Sequence, residues 1–200
     1  MNVRIVALAL LLFAPAGLAQ DYHQSARAKS AERAAMLESL QRGKAITALG
    51  ERYQQLPGVL AVERSGSQTP REALGAANAG AAEVVETKGK LVLYRGGGSS
   101  PALVKRVGEA TVYPTVVNSR TGTLGVLTGT LVVKPKSMGD ADAIAAGHGL
   151  QKTKAYPRLN TVFYRAKPNV DIVDVTAALQ ADPRIESAYP EIIEHVREPK

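Results

Sequence analysis

Two hundred residues, a net charge of +7 and no cysteine leave room for one large domain or two small ones, and exclude disulfides, zinc–thiolate sites and thiol nucleophiles. The basic residues alternate with acids and aromatic residues make up only 4% of the chain, so the charge reads as a solubilising surface and not as a nucleic-acid footprint.

Residues 1–19 have the make-up of a secretory signal peptide. Arg4 supplies a positive start, residues 5–14 are apolar, and Gly17-Leu18-Ala19 is a small-x-small cleavage site before Gln20. The apolar run is shorter than the roughly 20 residues that span a bilayer. No later stretch is apolar enough to span one, so the mature chain is expected in the periplasm or the medium, without membrane insertion.

Residues 21–56 are rich in Ala, Glu, Lys, Arg, Gln and Leu, which favour helix. Ser25 or Ser30 can cap it, and Leu37, Leu40, Ile46, Leu49, Tyr53 and Leu56 form an apolar stripe. A weak point is expected at Gly43 and a stop at Pro57-Gly58. Residues 65–82 read as a loop in which residues 70–77 can turn into helix. Val84-Val85 and residues 91–94 are short strands. The glycines at 96–98 lack the Gly-Lys-Ser/Thr ending and the strand-to-helix setting of a phosphate loop, so they read as a plain loop. Residues 112–117 and 123–126 form a hairpin around Gly122. A boundary is expected at Thr128-Gly129, dividing a helical and hairpin region, residues 20–128, from a second domain, residues 129–193, and a tail, residues 194–200.

That second domain is the most regular part of the chain. A β-branched run at 130–134 precedes a helical pattern at 140–148, and two β-rich runs follow at 150–155 and 160–166. A second helical pattern at 170–180 leads into an extended run at 185–193. The order β-α-β-β-α-β predicts a ferredoxin-like domain and an α+β fold class.

Catalytic groups do not assemble in the sequence. The three histidines are His23, His148 and His195. His148 ends a helix before Gly149 and is explained by the helix dipole and C-cap. No serine sits in Gly-x-Ser-x-Gly. Asp140 and Asp142 are cap and dipole residues. The expectation is a protein that is not an enzyme and needs no cofactor or metal.

Thr130-Leu131-Val132-Val133-Lys134-Pro135, then Ala141 to Ala146 with Gly147-His148-Gly149-Leu150, then Asn160-Thr161-Val162-Phe163-Tyr164-Arg165, and finally Leu179 to Glu191 around Asp182-Pro183-Arg184-Ile185 together resemble a subtilase propeptide. Such propeptides precede the Asp, His and Ser blocks of a subtilisin-like protease, whereas this chain stops at Lys200. The arrangement is similar to the external chaperone of a bacterial kexin-like subtilase. The resemblance is firmest over residues 112–200.

The resemblance implies a subtilisin-like serine protease as protein partner in trans. Helices on one side of the sheet leave the other side bare, and alternation along the strands puts Val132 and Phe163 there, with Tyr189 on the last strand. In the family an acidic residue after that strand caps partner helices. Glu191 matches it, whereas Ile192 and Ile193 replace acids and suggest an apolar contact. The tail through His195, Val196, Arg197, Glu198, Pro199 and Lys200 matches the segment that lies in the protease cleft. Two alternatives stand beside a folding chaperone: an inhibitor of folded subtilases, and a cell-envelope adaptor. The sequence assigns no oligomeric state.

Overall fold

The computed structural model describes residues 31–96, 103–167 and 170–195. The chain divides into two compact units, Met1–Ser39 and Leu40–Lys200. The described part of the first is a helix at residues 31–39, α1. The signal sequence lies outside the described residues.

The second unit opens with β1 (Ala45–Ala48) and β2 (Glu51–Glu63), followed by α2 (Pro70–Ala76), β3 (Glu83–Lys88) and β4 (Leu91–Arg95). Then come β5 (Lys105–Val107), β6 (Ala110–Asn118), β7 (Leu124–Pro135), α3 (Ala141–Gly147), β8 (Leu150–Tyr156), β9 (Thr161–Ala166), α4 (Ile172–Ala181) and β10 (Ile185–Ile193). Among the described residues, one antiparallel sheet holds all ten strands. Its main path is β3-β4-β2-β6-β7-β9-β8, with β1 on β2, β5 on β6 and β10 on β7. The fold is mixed α/β and dominated by this sheet. From β7 onward the element order is β-α-β-β-α-β, with strands side by side as β10-β7-β9-β8.

The largest departure from sequence expectation is at residues 40–56, which form no helix. β1 and β2 make a hairpin whose two turn residues, Leu49 (φ 51°) and Gly50 (φ 80°), both take positive φ. Alternation wins over the helical stripe: Ile46 and Ala48 are buried, and Leu49 is 78% exposed at the tip. Pro57-Gly58 does not terminate an element either. It lies inside β2, where the pairing with β6 shifts register between Gln55 and Leu60, and a bulge there tolerates a proline that cannot donate to the ladder.

The boundary expected at Thr128-Gly129 falls inside β7, which runs unbroken from Leu124 to Pro135. The expected hairpin is present, with Gly122 at φ 69°. Residues 70–77 do turn into helix: Thr69 caps α2, its hydroxyl accepting from the Glu72 N–H while the Glu72 carboxylate takes the Thr69 N–H at 2.6 Å.

One apolar cluster joins elements from the whole unit. Leu131, Val133, Val162 and Tyr164 of the sheet meet Ile144 of α3 and Ile172 and Leu179 of α4, and Ile46 and Tyr53 of the first hairpin belong to the same cluster. β1 is also tied to α4 by polar contacts, from Lys44 to Asp174 and from Gln180 to the Thr47 carbonyl. A second cluster lies under α2, around Val62, Leu74, Val92 and Tyr94.

His148 has a partner that the sequence reading did not supply. Its Nε2 lies 2.8 Å from Asp182 Oδ2, and Arg184 reaches the same carboxylate at 2.6 Å. Gly149 takes φ 64° after the helix, as a C-terminal glycine does. Hydrogen bonds from Arg184, then from His148, hold the Asp182 carboxyl well below the usual range. A lowered folded-state pKa adds stability above the unfolded value and loses it as acid protonates the group. Asp182→Asn should therefore cost about 1–2 kcal/mol near neutrality and flatten the loss of stability below about pH 4, read by urea unfolding across pH.

Tyr164 gives the alkaline counterpart. It is fully buried, donates to the Ala141 carbonyl at 2.8 Å, and burial pushes its pKa up to about 12. A raised phenol pKa means that stability falls as the unfolded chain ionises, above about pH 10. Tyr164→Phe should lose about 1 kcal/mol at neutral pH and show a weaker alkaline decline in the same measurement.

Candidate protein-binding face and chain exit

Register fixes which residues of the last strands share a face. Tyr189 pairs with Val132, and Val132 with Phe163. The three form one row across β10, β7 and β9, alternating with Leu131, Val133 and Tyr164, and Tyr189 also packs against the core cluster to which those three belong. The row is not the bare apolar face expected from the strand pattern. Val132 is buried at 8% exposure and Phe163 and Tyr189 are half-buried. The Phe163 ring meets Tyr156 edge to face at 5.6 Å between centroids, and Lys154 Nζ stands 4.7 Å from the Tyr156 ring centre. The face is therefore a short apolar strip flanked by cations.

Glu191 is exposed, and its carboxylate accepts a 2.6 Å hydrogen bond from the Thr128 hydroxyl. It sits where β10 shifts register against β7, between Pro190 and Ile192. The next residue faces the fold. Ile192 packs on the core, and a Cβ on Gly125 would stand 2.5 Å from its Cγ2. A glycine is required there because two strands carry side chains into one space. Ile193, paired with Val126, is half-buried.

The sequence reading missed how β10 ends. Lys88, at the end of β3 and 8% exposed, donates to the Glu194 carbonyl at 2.9 Å and to Glu86 Oε1 at 2.7 Å. Asn118, also buried, donates to Glu194 Oε1 at 3.2 Å. Two residues far earlier in the chain, Lys88 and Asn118, thus hold the first residue of the expected tail. No pattern flags this, because the partners are 106 and 76 positions apart. His195 is exposed. Val196, Arg197, Glu198, Pro199 and Lys200 lie outside the described residues, as do His23 and Gly97 and Gly98 of the glycine run. Among the described residues no group of three His, Cys, Asp or Glu side chains is placed to hold a metal ion, and no helix is long and apolar enough to cross a membrane.

What this geometry defines is a sheet-dominated mixed α/β protein with an apolar row on one sheet face and a C-terminal strand fixed at its exit. Residues 19–199 match the family described as the open reading frame 2 N-terminal domain, and the chain belongs to that family. No curated protein matches it. Among solved structures it is similar to a chain of the complex between an Aeromonas sobria serine protease and its chaperone, ORF2. Identity is 20%, coverage is 50% of this chain and 100% of that one, and the TM-score is 0.36.

The Lys88 contacts give a direct expectation. Lys88→Met removes the buried ammonium that bridges β3 and Glu194, and breaking such a buried polar contact costs about 1–3 kcal/mol. Amide hydrogen exchange should quicken at the end of β10, including Glu194 and His195, while β8 and β9 keep their protection. Unchanged exchange at Glu194 would show that the strand is held without Lys88.

Proposed function

We propose that this chain is an exported chaperone that helps a subtilisin-like serine protease to fold and then occupies its active-site cleft. Family membership over residues 19–199 carries the reading. The family shares the designation open reading frame 2 with the protein that the Aeromonas complex names as a chaperone of a serine protease. That shared designation, and not the structural likeness, supports the chaperone role. The subtilisin-like, kexin-like nature of the partner rests on the propeptide-like phrases of residues 130–191. The β-α-β-β-α-β order from β7 to β10 supports reading that segment as ferredoxin-like.

In this mechanism the sheet face with Tyr189, Val132 and Phe163 packs on surface helices of the protease. Binding the native protease and not its unfolded chain shifts the equilibrium toward folding. Glu191 turns from Thr128 to the N–H groups at a partner helix N-terminus, where a carboxylate contributes about 0.3–1 kcal/mol. Glu194, held by Lys88 and Asn118, sets the point from which Val196 to Lys200 enter the cleft by strand-like pairing. The chain itself performs no chemistry in this reading. Residues 1–19 act as its export signal.

The test is refolding of a denatured subtilisin-like serine protease from the organism that makes this chain, with and without the chain, followed by inhibition assays on the folded enzyme. Recovery of activity should depend on the chain, and equal recovery without it would remove the chaperone role. Deleting residues 196–200 should raise the inhibition constant by about tenfold or more while leaving the refolding yield largely intact, since the tail and sheet act at different sites. An unchanged inhibition constant would show that the cleft is blocked by other residues.

A further inference from the structure

The two strands that share one edge of β7 do not meet. β6 pairs with β7 as far as Val126, and β9 joins only at Thr130. Between these points the edge of β7 opens on a cleft of about 620 Å³ lined by residues of β5, β6, β7, β8 and β9. Its position follows from Gly129, buried at φ 84°, where a Cβ would stand 3.0 Å from Val104.

Among the described residues, the charged side chains that line this cleft are all basic. Lys105 and Arg106 come from β5, and Arg165 and Lys167 from the end of β9 and just beyond, all four exposed. Among the described residues, no acidic side chain lines it. Three acids touch its wall from outside the lining: Glu63 accepts from the Tyr113 hydroxyl, Glu191 accepts from the Thr128 hydroxyl, and the Glu109 backbone carbonyl accepts from Arg106. None of the four cations has an ion pair among the described residues, whereas Lys44, Lys88, Arg95, Arg120, Lys152 and Arg184 do. Unpaired like charges around a concave surface focus a positive potential and attract anions. The cleft also continues the apolar row, because Arg165 follows Phe163 by two residues on the same face of β9.

We propose that this cleft docks a carboxylate-rich segment of the same protein that covers Tyr189, Val132 and Phe163, and so fixes how that partner sits on the sheet. The inference rests on the reading of this face as the partner surface and adds the chemistry of the contact. Charge complementarity selects an acidic peptide. A nucleic-acid strand fits less well, since among the described residues Tyr113 is the one aromatic side chain lining the cleft and offers no succession of rings for bases to stack on. Charged contacts of this kind serve orientation and encounter rate more than total affinity.

The experiment uses the full mature chain and no protease, so its failure leaves the chaperone reading to be decided by refolding alone. Fluorescein-labelled hexaglutamate is titrated by anisotropy in low salt and in about 0.5 M NaCl, where the screening length falls to a few ångströms. A hexalysine peptide and an oligothymidylate are run beside it. Hexaglutamate should bind, hexalysine should not, and salt should weaken binding. Arg165→Glu with Lys167→Glu should weaken it about tenfold or more, as expected when a positive patch is reversed. Thermal unfolding checks that this variant folds, and Arg165→Gln with Lys167→Gln replaces it if it does not, with a smaller loss in the same direction. Absence of hexaglutamate binding in low salt, equal affinity in a folded variant, or tighter binding of the oligothymidylate would each overturn the proposal.

Discussion

Strand β7 is the constraint on which the rest of the unit depends. Its twelve residues pair with β6 and then β9 along one edge, and with β10 along nearly the whole of the other. A strand shared in this way cannot be divided between two domains, because separating its neighbours would leave a ladder of backbone groups without partners. This pairing makes the first hairpin and α4 contribute to one core. It also leaves an opening between β6 and β9, and it delivers the end of β10 to the side of β3 and β6.

The buried polar groups follow from that delivery. Lys88 is among the least exposed charged residues, and an ammonium is costly to desolvate unless its donors are satisfied. Glu86 and the Glu194 carbonyl satisfy it, so the position of Glu194 is linked to the folding of a hairpin far away in sequence. At the other side of the sheet, Asp182 plays the corresponding role for α3 and β10 by collecting His148 and Arg184. Both are charges retained where apolar packing would serve stability as well. What they add is a fixed geometry at the two ends of β10, the strand that carries Tyr189 and Glu191.

The sequence made the regular parts legible and the long-range parts invisible. Residues 130–193 announced their strands and α-helices because each has its own period, 2 for strands and 3.6 for helices, although Asp140, expected as a cap, makes no side-chain capping bond to α3. Residues 40–56 misled because Ile46, Leu49, Tyr53 and Leu56 are spaced as a helical stripe and because the turn uses Leu49-Gly50 in place of the usual Asn-Gly or Asp-Gly. Thr128-Gly129, where a boundary is expected, lies inside β7. Those residues mark the place where strand partners change along a continuous β7. Alternation and the Val132–Phe163 pairing put these two residues on one face, but Tyr156 and Lys154 beside Phe163 depend on the turn between β8 and β9. The hold of Lys88 and Asn118 on Glu194 has no local signal at all.

The edges of the sheet argue for face contact over strand addition. β8 and β3 end the main path of strands, and an unprotected end strand invites pairing with another chain. β8 carries Lys152 and Lys154 and shifts register between them, and β3 shifts register between Val84 and Glu86. Charge and irregularity at both ends oppose a flat, hydrogen-bonded approach, as they do in sheets that remain unpaired. The half-buried row on the face has the opposite character: it is apolar, regular and held by register on three strands. Cations flank the row, so two copies of the chain placed face to face would bring like charges together. That repulsion disfavours self-association through the face and favours a partner of opposite charge.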